Sequence, residues 1–114
     1  IEVTIDEQDI FNVTMNESLA VALLTNLLKN AFVHNIDGGH IRITVTKNSI
    51  TFRNSGVENP LDKEHIFERF YQGTKKEGST GLGLAIADSI CRLQHLSIRY
   101  YFEQKEHCFE ISRQ

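Results

Sequence analysis

Apolar and polar residues alternate at the start of the chain, where Ile1, Val3 and Ile5 are set between Glu2, Thr4 and Asp6. That is the period of a half-buried strand. A second apolar piece, residues 10–13, follows the polar Asp6-Glu7-Gln8-Asp9 turn, so a hairpin or two edge strands are expected there. From Glu17 the period changes: Leu19, Leu23, Leu24, Leu27, Leu28 and Ala31 recur at threes and fours, which predicts a helix over residues 17–34. Thr14 or Asn16 can cap it, and Glu17 can close a capping box with Thr14. Asn35-Ile36-Asp37-Gly38-Gly39 stops it. Residues 41–46 and 50–54 are β-rich and joined by Lys47-Asn48-Ser49, the pattern of a hairpin. Residues 55–60 read as a loop, 61–71 can hold a short helix, and 72–80 are polar and punctuated by glycine. Leu82, Ile86, Ile90 and Leu93 restore the helical period, and residues 97–102 and 108–111 read as two closing strands. The order predicts one α+β domain over residues 1–114: a two-layer sandwich in which a mixed, mostly antiparallel sheet carries helices on one face.

A chain of 114 residues can bury roughly two-thirds of its unfolded surface, so a core needs no disulfide or metal. Twelve Lys and Arg against fifteen Asp and Glu leave a net charge of −3, which supplies no basic field for nucleic acid. No apolar run approaches the roughly 20 residues that span a bilayer, and the first residues lack a signal-peptide layout. No membrane contact by this segment is expected. Cys91 and Cys108 read as buried, inert thiols in a reducing compartment.

On the first long helix Asn26, Asn30 and His34 fall within a quarter turn of one another, at the margin of the leucine face. Asparagine is a mediocre helix former because its amide competes for the backbone, so the pair has a cost that some contact offsets. Bonding to neighbouring backbone is one such contact. A ligand is the other, since amide oxygens are hard donors suited to Mg²⁺ and its phosphate partners. Residues 78–83 hold three of the seven glycines and open into the second helix. Such a loop either makes a tight turn or cradles phosphate with its N–H groups at a helix N-terminus that carries about half a positive charge. It is no P-loop, because no Gly-Lys-Ser/Thr follows. It is no dinucleotide fingerprint either, because no strand precedes it. His40, His65, His95 and His107 have no metal-ligand spacing and read as structural or surface groups. Tyr100 and Tyr101 read as parts of the sheet.

Taken together, residues 26–31 (NLLKNA), 67–71 (FERFY) and 78–84 (GSTGLGL) resemble the asparagine, phenylalanine and second glycine motifs of the ATP-binding catalytic domain of sensor histidine kinases, in the Bergerat-type ATPase superfamily. The resemblance runs essentially end to end and implies ATP and Mg²⁺ as ligands. It implies that Asn30 holds Mg²⁺, that Asn26 bonds phosphate or metal-bound water, and that His34 lies near the phosphates or ribose. Thr80, Gly81, Leu82, Gly83 and Leu84 would cap the triphosphate. Asn54 and Gly56 would read adenine. Phe67 and Phe70 would anchor the lid between Gly56 and Gly81, with Arg69 approaching the γ-phosphate.

The family usually has a carboxylate at the position of Asn54, but an amide can accept from the adenine amino group and donate to the adjacent ring nitrogen. Glu58 replaces a glycine, with Asn59-Pro60 beside it to turn the chain. Val33 stands where a phosphate-binding lysine is common, which Lys75 or Lys76 could replace. Hydrolytic relatives such as gyrase and the mismatch-repair ATPases carry a water-activating Glu at the position of Asn26, and an amide cannot act as that base, which favours transfer over hydrolysis. The implied activity is that of a cytoplasmic protein histidine kinase domain in a two-component system. It would donate the γ-phosphoryl group to a His on a separate dimerisation domain, upstream of a response regulator. Two alternatives stand beside it: a regulatory module of the same fold that binds nucleotide poorly, and an anti-sigma-type serine kinase.

Overall fold

The computed structural model of the chain describes residues 1–69 and 82–114. Five strands and two helices follow in the order β1 (Glu2–Glu7), α1 (Glu17–Val33), β2 (His40–Val45), β3 (Ser49–Asn54), α2 (Gly83–Leu93), β4 (Leu96–Glu103) and β5 (Glu106–Arg113). They form one mixed sheet in the order β1-β2-β3-β5-β4. The anticipated α+β sandwich is present, with every pairing antiparallel except β1 with β2.

α1 starts where the sequence offers a cap: the Asn16 side chain accepts from the Leu19 amide at 3.1 Å. Asn16, not Thr14, is therefore the N-cap, which satisfies one of the helix's orphan donors. Leu23, Leu27 and Ala31, one turn apart, are its buried stripe. Leu23 and Leu27 join Phe52, Ile66, Ala87, Ile90, Tyr100, Phe109 and Ile111 in a core between the helices and the sheet. No helix among the described residues is long and apolar enough to cross a membrane.

Two expectations are corrected. Residues 10–13 form no strand, because the hydrogen-bonding edge of β2 is taken by β1, in parallel register from Glu2↔His40 to Glu7↔Val45, with α1 as the crossover. Phe11 lies instead under the Arg113 guanidinium, 4.9 Å from its ring centroid, and Asn12 O accepts from the same side chain at 2.7 Å. The described part of residues 61–71 forms turns in place of a helix. His65 N and Ile66 N both donate to Asp62 O and Glu68 N donates to His65 O, while Ile66 is drawn into the core. The β4–β5 connection carries no turn glycine, yet Gln104 and Lys105 both take positive φ (51° and 62°), the conformation a two-residue hairpin needs.

Candidate functional site

The two helices meet at Asn26. Its Nδ2 donates to Ala22 O at 2.8 Å, one turn back, which is the backbone contact that an asparagine in a helix favours. Its Oδ1 faces α2: a Cβ added to Gly83 would lie 3.2 Å from it. Gly83 therefore lets the first residue of α2 approach α1 closely. The Leu82 N-cap makes no side-chain cap hydrogen bond, and no acidic residue sits in the first turn of α2. Among the described residues no side chain caps this positive helix end and its first turn holds no counter-charge, the setting in which helices receive anions. Asn30 and His34, one and two turns beyond Asn26, are half-buried like it.

At its far end α1 is tied to β2 and β3 by a buried polar knot. The Ser55 hydroxyl donates to Asn35 Oδ1 at 2.5 Å and accepts from His40 N at 2.8 Å. Asn35 Nδ2 donates to Ala31 O and His40 O, and its Oδ1 also accepts from Ile36 N. The knot fills the space beside Gly39, where an added Cβ would stand 2.1 Å from Asn35 Oδ1. Next to it, a Cβ on Gly56 would lie 2.8 Å from His34 O and 3.2 Å from His107 Cδ2. Gly56 is clasped between the end of α1 and β5.

Asn54, the last residue of β3, is 2% exposed. Its Nδ2 donates to Ser55 O at 2.8 Å. Its Oδ1 is the one buried side-chain N or O without a hydrogen-bond partner among the described residues. An orphaned buried acceptor costs about 1–3 kcal/mol, and a ligand amino group would relieve it.

Thus the structure brings Asn26 to Gly83, and His34 to Gly56 beside Asn54. Thr80 and Gly81 lie outside the described residues, as do Phe70, Lys75 and Lys76. Leu84 packs on the core, and Arg69 is exposed. Phe67 meets Phe109 edge-on, with ring centroids 6.2 Å apart. Asp62, Glu64 and His65 form an exposed cluster with metal-ligating side chains, already joined by a bond between Asp62 Oδ2 and His65 Nδ1. Burial pushes the Cys91 thiol up to about 11 and raises Cys108 as well, so both stay protonated and unreactive near neutrality.

Sequence reasoning missed Asn35, Ser55, Tyr100, Glu106 and His107. Asn35 reads as a helix stop, and nothing in the spacing joins it to Ser55, twenty residues on. Glu106 is buried on the sheet face opposite the helices, where His40 Nε2 and Arg42 hold its carboxylate at 2.7 and 2.8 Å. Burial raises its pKa, but the hydrogen bonds from His40 and Arg42 outweigh this and keep it below the ordinary value.

The family model "Histidine kinase-, DNA gyrase B-, and HSP90-like ATPase" matches residues 15–112. The sensor histidine kinase RppB of Synechocystis is 43% identical over 84 residues, covering 66% of this chain and 18% of that protein. The heme sensor protein HssS of Staphylococcus aureus is 39% identical over 90 residues, covering 75% of this chain and 20% of that protein. The chain thus spans about a fifth of the length of these curated relatives. Among solved structures, the nucleotide-free catalytic domain of the histidine kinase ThkA superposes with a TM-score of 0.81 at 25% identity, over 96% of this chain and 76% of that one. The mycobacterial sensor histidine kinase MprB shares the fold, with a TM-score of 0.81 at 20% identity over 98% of this chain and 82% of that one.

Proposed function

Because the chain belongs to the histidine kinase-, DNA gyrase B- and HSP90-like ATPase family, we propose that it binds Mg·ATP along α1 and donates the γ-phosphoryl group to a histidine on a separate dimerisation domain. The observation that carries this reading is Asn54 Oδ1, a buried acceptor with no partner among the described residues, at the position where the family reads adenine. Its amide is already turned, since Nδ2 is engaged by Ser55 O, so the oxygen is what a base amino group meets. Eight residues along α1 separate Asn26, which faces the start of α2, from His34 beside Gly56, about 12 Å at 1.5 Å per residue. A nucleotide laid along that line puts its phosphates at the N-terminus of α2 and its base at the end of β3.

Asn30 would supply the hard amide oxygen that suits Mg²⁺, whose remaining ligands are waters and phosphate oxygens, and Asn26 would bond phosphate or metal-bound water. When bound, the ion neutralises charge on the phosphate tail. The α2 N-terminus, together with Thr80 and Gly81 of the glycine-rich segment, receives the phosphates, and Arg69 adds a cation. Phosphoryl transfer asks a protein mainly for positioning and charge neutralisation, and both are within reach of these groups. Asn26 cannot deprotonate water, so transfer is favoured over hydrolysis. In this reading the domain works in the cytoplasm and feeds a response regulator.

The test is a thermal shift. Mg·ATP at 100 times its dissociation constant stabilises by about 2.7 kcal/mol. Asn30→Ala should remove the Mg²⁺-dependent part of the shift with the fold intact. Asn54→Ala should reduce the preference for ATP over GTP. No shift at millimolar Mg·ATP would favour the competing reading, a module of the same fold that binds nucleotide poorly, for which Val33, Asn54 and Glu58 speak.

A further inference from the structure

Resting on that reading of the site, we propose that His107 is a positioning residue for its base end, acting through Tyr100 and the backbone of residues 57–61. His107 is 3% exposed and is the cross-strand partner of Asn54 in the β3–β5 ladder. A chain of three hydrogen bonds runs through it. Leu61 N–H donates to the Tyr100 hydroxyl at 2.9 Å. Tyr100 and His107 Nδ1 are 2.8 Å apart, and His107 Nε2 and Val57 O are 2.6 Å apart. A carbonyl only accepts, so Nε2 carries the ring proton. In the neutral ring Nδ1 is then the acceptor, and the tyrosine hydroxyl donates to it while receiving the Leu61 amide. The imidazole is packed between Phe102 and Tyr100, with ring centroids at 4.8 and 5.9 Å.

The two ends of this relay grip the first and last residues of the segment 57–61, where Asn59-Pro60 turns the chain and Glu58 lies 4.0 Å from Lys105 Nζ in the β4–β5 turn. Residues 57–60 are exposed, and the positive-φ residues among those described, Gly38, His95, Gln104 and Lys105, all lie elsewhere. Glu58 occupies the place where the family has a shape-giving glycine. The direction in which the chain leaves Gly56 is therefore set from beneath, by β4 and β5. The same imidazole lies against Gly56, two residues beyond Asn54, whose amide is oriented by Ser55 O. Losing the relay frees the backbone that adjoins the adenine-reading residue and leaves the asparagines of α1 in place.

That separation gives the test. Affinities of the chain for Mg·ADP, adenosine and magnesium tripolyphosphate are measured by calorimetry for wild type, Tyr100→Phe, His107→Leu and His107→Gln. Tyr100→Phe keeps the ring packing and removes the hydroxyl, so it remains informative should His107→Leu fail to fold. Loss of one or two hydrogen bonds predicts about a ten-fold weakening toward ADP and adenosine in Tyr100→Phe and His107→Leu, with tripolyphosphate unchanged. His107→Gln, which keeps a donor and an acceptor, should recover most of the loss. In wild type, ¹⁵N shifts of the His107 ring should show Nε2 protonated and Nδ1 bare. Base-end affinity unchanged in both Tyr100→Phe and His107→Leu, or lost equally for tripolyphosphate, overturns the assignment. A wild-type chain that binds neither ADP nor adenosine overturns the nucleotide reading itself.

Discussion

Removing the Ser55 hydroxyl tests whether the knot at the end of α1 acts as one unit. In Ser55→Ala the His40 amide loses its acceptor and Asn35 Oδ1 loses a donor at 2.5 Å. Orphaning buried groups of this kind costs about 1–3 kcal/mol, and we take about 2 kcal/mol because Asn35 Oδ1 keeps its bond from Ile36 N. Asn35→Ala loses more, since its amide also donates to Ala31 O and His40 O, and about 3 kcal/mol is expected. The Asn35–Ser55 bond is lost in both single variants, so the double variant should fall short of the sum by about 1 kcal/mol. For 114 residues the unfolding entropy near the midpoint is about 0.24 kcal/mol/K, which converts about 2 kcal/mol into a Tm loss of about 8 °C. Urea unfolding of the four proteins gives the cycle directly, provided the slope m stays constant. Additivity within about 0.4 kcal/mol would refute the reasoning and reduce the knot to independent contacts.

Two further outcomes are expected. Glu106→Gln should cost about 1–2 kcal/mol at neutral pH, moderated by the exposure of its partners His40 and Arg42. The folded state holds the Glu106 carboxyl below its ordinary 4.5, so its contribution is present above that pH and is lost as pH falls through the folded value. The gap between wild type and variant in acid denaturation should therefore close below pH 4.5, and a constant gap down to pH 3 would refute the assigned interaction. Gly56→Ala drives a Cβ to 2.8 Å from His34 O, which is backbone and cannot swing aside. A loss of about 1–3 kcal/mol by thermal melting is expected, with weaker ADP binding; a neutral substitution would show that Gly56 is not clasped.

Much of this fold is legible in local pattern. The leucine period of α1, the Lys47-Asn48-Ser49 turn and the apolar spacing of α2 each describe an element whose stabilising contacts repeat along a few residues, and short-range period reports such contacts directly. Asn26, Asn30 and His34 share a face by helix geometry alone, whereas the close approach of Gly83 to Asn26 is visible only in the structure. Pairing partners were beyond local pattern. β1 reads as half of a hairpin with residues 10–13, yet its partner is β2, more than thirty residues on, because parallel pairing depends on where α1 returns the chain.

The same limit applies to the site. Composition and spacing determined the α+β class and a net charge of −3, with an asparagine stripe on one helix and a glycine-rich entry to the other. Tertiary structure alone decided that Asn54 is buried with an oxygen unmatched among the described residues, that Asn35 and Ser55 lock two strands to the end of α1, and that His107 reaches residue 57 directly and residue 61 through Tyr100. The last two rest on hydrogen bonds between groups far apart in sequence, and the first on burial by them. Their strength comes from exclusion from water, and burial is a property of the assembled layers that no local spacing records.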